Sequence, residues 1–182
     1  MPATATRAEA ADTGEHPIVI ADRAVPIGGS FEDYYRRHYG DIVRALSYTL
    51  GDVELGRDAT DEAMARTYAN WSTVCEYANP AGWTYRVGLN WARSIHRRLA
   101  RQLPIIGRGE VAPPEVRDPL VAEALRSLDV DLRAVVVCRL LADWSVDQTA
   151  EALDIRPGTV KSRLHRALAL LETKLHHTQE LS

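Results

Sequence analysis

The chain has 182 residues, 46% of them hydrophobic and 26% charged, a balance that excludes wholesale disorder and suits one large globular domain or two small ones. Its net charge of −3 is unlike that of a uniformly basic nucleic-acid-binding domain, and its two distant cysteines, Cys75 and Cys138, exclude a disulfide framework and a zinc finger. No run approaches the roughly 18–20 apolar residues of a membrane-spanning helix, and no charged-then-apolar leader opens the chain, so a cytoplasmic protein without a membrane partner is expected.

Residues 1–30 are rich in Ala, Thr, Asp and Glu and broken by Pro2, Pro17, Pro26 and Gly28-Gly29-Ser30; a disordered extension is expected there. From Phe31 a helical period begins, with Phe31, Tyr35, His38, Ile42 and Leu46 on one stripe and Gly51-Asp52 as its stop. A second helix is expected from Val53 to Trp71, turning Ala63, Met64, Thr67, Tyr68 and Trp71 inward. A polar break with Asn79-Pro80 follows. A third helix is expected from Ala81 or Gly82 to Leu103, with Trp83, Val87, Trp91 and Ile95 as its apolar face. Residues 104–119 hold Pro104, Gly107, Gly109, Pro113, Pro114 and Pro119 and read as a flexible linker.

Beyond the linker the pattern is one of short helices. Val121, Leu125 and Leu128 mark one; Leu132, Val135, Val136 and Leu140 mark the next; two more run from about Ser145 to Leu153 and from about Gly158 to Leu175. No strand-type alternation of useful length occurs. The expected fold is all-α: two small helical domains over residues 31–103 and 120–176, joined by a flexible linker, with a tail over 177–182.

The even balance of charge hides a segregation. No acid occurs between Tyr77 and Gly109, a stretch holding Arg86, Arg93, Arg97, Arg98, Arg101 and Arg108, while Arg156 to Lys174 carries five basic residues against Glu172 alone. The segment Ser145 to Leu164 has helix-turn-helix logic. Ser145 and Gln148 are spaced as a capping box, Ala150 is small where two helices must approach, and Leu153, Ile155 and Val160 are apolar where the pair packs. Asp154 occupies a turn position that favours a left-handed conformation, which Asp tolerates better than most residues. In such a motif the first turns of the second helix enter the major groove. Arg163 and Arg166 then reach guanine edges or phosphates, and Thr159 and Ser162 contact phosphate.

The third helix presents a second basic surface. Asn90, Arg93, Ser94, Arg97 and Arg98 fall on one side of it, near Trp71, Tyr77, Trp83, Tyr85 and Trp91 in sequence, a mixture that suits single-stranded or melted nucleic acid. Trp83 and Trp91 themselves read as core. On the second helix Asp58, Asp61, Glu62 and Ala65 form a stripe, acidic but for Ala65, suited to a basic partner.

Four stretches together resemble the extracytoplasmic-function (ECF) class of bacterial sigma factors, which retain sigma domains two and four. These are Phe31 to Tyr39, Arg57 to Tyr68, Pro80 to Trp91 continuing through Arg97-Arg98, and Gly158 to Ala167. The resemblance implies that Asp58, Asp61, Glu62, Ala65 and Tyr68 face the β′ clamp helices of core RNA polymerase, with the β subunit as a further partner. It implies that Trp71, Asn90, Arg93, Ser94, Arg97 and Arg98 contact the opened downstream (−10) promoter element, the loop from Trp71 to Asn79 holding a flipped base. It implies that Arg156, Thr159, Lys161, Ser162, Arg163 and Arg166 read the upstream (−35) element as duplex. An anti-sigma factor, which holds many members of the class, is a candidate further partner whose existence the sequence leaves open. Two departures bear on promoter preference: Asp61 stands where Gln is frequent, and the loop carries Cys75-Glu76 in place of a small polar run.

The competing reading is a two-domain regulator that binds duplex operator DNA without joining polymerase; a decoy that keeps the architecture but cannot initiate is a third. An enzyme is not expected. Asp58, Asp61 and Glu62 lack the Glu-x-x-His partners of a bundle metal site, and no nucleophile–base or phosphate-loop pattern occurs, so no catalytic residue, metal, cofactor or small-molecule substrate is expected.

Overall fold

A computed structural model describes residues 29–102 and 119–180. The expected linker falls outside the described residues except for Pro119, and the expected extension does so except for Gly29 and Ser30. All regular structure among the described residues is helical.

The first half is built on α1 (Phe31–Leu50) and α2 (Val53–Ala69), joined by the two residues Gly51-Asp52. Ser30 caps α1 by accepting from the Asp33 N–H at 3.1 Å. Gly51 ends it at a φ of 72°, a left-handed conformation open to glycine at no steric cost. Asp52 then caps α2 by accepting from the Leu55 N–H at 3.0 Å. The two helices lie so close that a Cβ on Gly56 would stand 2.2 Å from Ser47 Oγ. After a single turn, α3 (Trp71–Val74), the chain enters α4 (Pro80–Gln102). Proline suits a first helical position, and the Asn79 side chain accepts from the Gly82 N–H at 2.7 Å.

The face that α4 buries differs from the expected one. Ala81, Gly82, Thr84, Tyr85, Gly88, Leu89 and Ala92 point inward, while Trp83, Val87, Trp91 and Ile95 are only half-buried. Close approach decides this. A Cβ on Gly88 would meet Leu46 Cδ1 at 2.6 Å and the Ala59 carbonyl oxygen at 2.9 Å, so the crossing with α1 and α2 fixes the rotation of α4 at Gly88 and leaves Trp83, Val87, Trp91 and Ile95 to the side. Similar shifts occur on α1, where Tyr34 is buried and Tyr35 exposed, and on α2, where Tyr68 is 67% exposed rather than inward. Hydroxyls tie this core together: Tyr34 Oη lies 2.6 Å from Thr84 Oγ1, Thr84 lies 2.9 Å from Thr67, and Thr49 Oγ1 lies 2.7 Å from Tyr85 Oη.

The second half comprises α5 (Pro119–Arg126), α6 (Val130–Val136) running into a π-type turn over Val137–Leu141, α7 (Val146–Leu153) and α8 (Pro157–Glu180). The π turn adds a residue to the helical repeat and rotates Leu140 outward, so Leu140 is exposed rather than on the expected apolar stripe. The helix-turn-helix forms as the sequence predicts. Ser145 and Gln148 make a reciprocal capping box, with Gln148 N–H to Ser145 Oγ at 3.1 Å and Ser145 N–H to Gln148 Oε1 at 2.7 Å. Asp154 holds the left-handed turn at φ 54° and ψ 49°. With no Gly or Pro after Gly158 to stop it, α8 continues past Leu175 to Glu180.

The two halves pack against each other. Ala134, Val137, Cys138, Ala142, Trp144 and Ala152 of the second half belong to the same buried cluster as Tyr34, Ile42, Leu46, Tyr85, Leu89 and Ala92 of the first. Trp144 meets the Tyr85 ring edge-on at 5.7 Å. The second half keeps two smaller clusters of its own, one around Leu125, Leu128, Leu132, Val136 and Ala167, the other around Val135, Ala150 and Val160.

Candidate nucleic-acid interface

On α2 the residues Asp58, Asp61, Ala65 and Tyr68 are exposed and Glu62 is half-exposed, so one solvent-facing strip carries three carboxylates and a phenol. Two of the acids are held in place: Asp61 accepts from Tyr39 Oη at 2.8 Å, and Glu62 pairs with Arg66 at 2.7 Å. Burial first, then the hydrogen bond to Asp61, pushes the Tyr39 phenol up to about 12, so it remains a donor to that carboxylate at neutral pH.

The basic side of α4 begins beside a packed aromatic corner. Trp71 sits half-buried against Phe31 at 5.7 Å and Tyr34 at 4.9 Å, and its indole N–H donates to the Gly29 carbonyl at 3.2 Å. Tyr77 and Trp83 approach at 6.4 Å on the other side of the break. Tyr85 is fully buried and so is withdrawn from any base-stacking surface. Along α4, Asn90, Arg97 and Arg98 are exposed and Ser94 is half-buried, donating its hydroxyl to the Trp91 carbonyl at 2.7 Å. Arg93 turns toward the second half of the chain.

In the helix-turn-helix, Arg156 just before α8 and Lys161, Ser162 and Arg166 over its first turns are exposed, and Thr159 is half-buried. Arg163 pairs with Asp131 Oδ2 at 3.0 Å, and the other oxygen of that carboxylate binds Arg93. The fold therefore brings the arginines of two separate basic surfaces onto one acid. Sequence reasoning passed over Asp131, as it did Arg133. The latter is buried and donates to the Thr49 carbonyl at 3.2 Å, the Arg126 carbonyl at 3.1 Å and the Leu128 carbonyl at 2.7 Å. Arg86 likewise crosses between the halves, donating to the Glu151 carbonyl at 3.3 Å. Periodicity carries no signal for such long-range pairs. The only local sign is Asp129, whose side chain caps α6 and fixes where Asp131 starts.

Among the described residues no cluster of His, Cys, Asp or Glu could hold a metal ion, and no helix is long and apolar enough to cross a membrane.

A family model for sigma-70 region 4 matches residues 120–171. The RNA polymerase sigma-E factor of Streptomyces coelicolor is 32% identical over 151 residues, spanning 80% of this chain and 85% of that one. The ECF RNA polymerase sigma factor SigL of Mycobacterium tuberculosis is 31% identical over 153 residues, spanning 78% of this chain and 86% of that one. The chain belongs to the ECF family of RNA polymerase sigma factors. Solved structures agree on the fold. The sigma factor RpoE of Bartonella quintana, in complex with the anti-sigma factor NepR, superposes at a TM-score of 0.68 with 18% identity, covering 80% of this chain and 96% of that one. CnrH in complex with the cytosolic domain of CnrY gives 0.56 with 21% identity, covering 88% and 97%. Within this sigma factor the region-4 match takes in α7, α8 as far as Leu171, Asp131 and Trp144.

Proposed function

We propose that this sigma factor binds core RNA polymerase through the outer face of α2 and directs initiation at promoters with two elements. Asp58, Asp61, Glu62, Ala65 and Tyr68 meet the basic β′ clamp helices, and the second half contacts the β subunit. Residues 31–103 act as sigma domain two and residues 120–176 as sigma domain four, with residues 104–119 threading through the polymerase between them. Arg156, Thr159, Lys161, Ser162, Arg163 and Arg166 read the upstream element as duplex. Asn90, Arg93, Ser94, Arg97 and Arg98 neutralise the opened strand of the downstream element, and Trp71 with the loop to Asn79 captures an extruded base. The protein works in the cytoplasm, its activity is held in check by an anti-sigma factor, and bond formation belongs to the polymerase alone.

The observation that carries this reading is the pair of basic surfaces on one chain, α4 and the start of α8, beside an exposed acidic strip on α2. A regulator of duplex DNA has use for the second surface only. The test is transcription in vitro with purified bacterial core polymerase on a pool of promoter fragments, with and without the protein. New initiation from a defined subset supports the reading; absent initiation together with tight duplex binding by the protein alone defeats it. On a promoter so identified, Arg163→Ala lowers use in a sequence-dependent way by about 1–3 kcal/mol if the guanidinium touches a base edge. An equal loss on every upstream sequence makes it a phosphate contact.

A further inference from the structure

The acids of α2 do not stand alike. Glu54 and Glu62 are neutralised by neighbours on the same helix, Arg57 at 3.4 Å and Arg66 at 2.7 Å. Asp61 makes no ion pair among the described residues. Its carboxylate accepts instead from a phenol of α1, Tyr39 Oη at 2.8 Å, 22 residues away in the chain. That phenol is itself braced. Its ring stacks on Tyr35 at 4.8 Å with the planes 28° apart, Tyr35 lies 6.0 Å from Phe31, and Phe31 lies 5.0 Å from Tyr68. An aromatic band therefore runs from Tyr68 on α2 across α1 and back to Asp61 on α2, with Tyr35 and Tyr68 exposed. The core side of α1 is filled by Tyr34, His38 and Ile42 instead, so the band is not what closes the interior.

We propose that Tyr39 is a positioning residue for polymerase binding: its hydroxyl holds the Asp61 carboxylate in the orientation in which a cation of the polymerase takes it. That Asp61 meets the polymerase rests on the function proposed above; the positioning rests on the hydrogen bond and on the band behind it. An exposed aspartate is free to turn about its side-chain bonds, and stopping that rotation on binding costs affinity. A hydrogen bond made beforehand removes that cost from the binding step. The chemistry of the donor matters here. An arginine would orient the carboxylate equally well but neutralise it, as Arg66 does Glu62. A phenol that keeps its proton at neutral pH orients the group and leaves its negative charge for an incoming cation. A carboxylate offers about four lone-pair sites, so accepting from Tyr39 leaves room for a guanidinium or ammonium group.

The test is the affinity of the full chain for purified bacterial core polymerase, read by fluorescence anisotropy of the labelled protein. Urea midpoints check that each variant is folded. Tyr39→Phe keeps the ring and its stacking and deletes only the hydroxyl; it is expected to weaken binding by about two- to tenfold. Asp61→Ala is expected to weaken it at least as much. In the Asp61→Ala background Tyr39→Phe is expected to change nothing more, because the carboxylate it served is gone. A hydroxyl that served the fold alone would instead weaken binding equally in both backgrounds. Tyr48→Phe deletes a phenol hydroxyl farther along α1 and is the comparison, staying at the parent affinity. The positioning role is overturned if Tyr39→Phe binds as tightly as Tyr48→Phe, if it weakens binding equally with and without Asp61, or if Asp61→Ala itself binds like the parent. Failure of the parent to bind core polymerase is a different result: it defeats the sigma reading and takes the positioning role with it. A parent that binds while Tyr39→Phe has no effect overturns the positioning role alone.

Discussion

The first half of the molecule closes its core with large aromatic rings whose hydroxyls are tied to threonines, Tyr34 to Thr84 and Tyr85 to Thr49. The second half packs small aliphatic clusters around Leu132, Val136 and Val160 and places its largest side chain, Trp144, at the edge of the other half's core. Hydrogen-bonded aromatics fix orientation as well as burial, since an unmatched hydroxyl in that interior is costly. Aliphatic clusters of a few residues tolerate repacking. The contrast teaches that the first half can stand by its own contacts, whereas the second depends on where it rests.

Trp144→Ala is the largest way to break that contrast. Removing a fully buried tryptophan costs about 3–5 kcal/mol. Hydrogen exchange is expected to rise through α6 to α8 while α1 and α2 keep their protection; equal loss in both halves means that they share a single stability. Acid offers a second lever, acting on the first half. Burial, with the Arg37 charge adding to it, holds the His38 imidazole down to about 4 against an ordinary 6.5. Between those values the unfolded chain binds the proton and the folded chain does not. Stability is therefore complete above about pH 6.5 and falls as the pH drops towards 4, by about 3 kcal/mol. Denaturant melts of the parent and of His38→Gln across that range are expected to diverge, with the variant flatter.

Gly88→Ala presses a methyl group onto Leu46 and the Ala59 carbonyl and is expected to cost about 1–3 kcal/mol, read as a lower midpoint in urea. A midpoint equal to the parent's shows that the helix crossing has slack. Smallest is Ser145→Ala, which deletes one side of the capping box and costs about 1 kcal/mol, confined to α7 and α8 by hydrogen exchange.

The local features were the legible ones. Gly51-Asp52 marks the end of α1, Ser145 and Gln148 announce α7, and Asp154 signals the left-handed turn, because each acts on backbone groups only a few residues away. The inward face of α4 was not legible, since the eye follows Trp83, Val87 and Trp91 while the tight crossing selects Gly88 and Ala92. Leu140 was misplaced because a π turn leaves no mark in a period count. Of the candidate site, the exposed residues on α2, α4 and α8 could be named from charge and spacing. Asp131 could not, because its meaning lies in two partners 38 and 32 residues away.

Arg133 and Gly51 meet where the halves join: the guanidinium donates to the Thr49 carbonyl at the end of α1, and a Cβ on Gly51 would come within 2.7 Å of its Nη1. The turn that ends the first helix is thus also the socket for a cation from the far half. Anyone splicing either half of this chain onto a counterpart from another protein must carry both residues together, for a hybrid that inherits the arginine without the glycine has nowhere to put it.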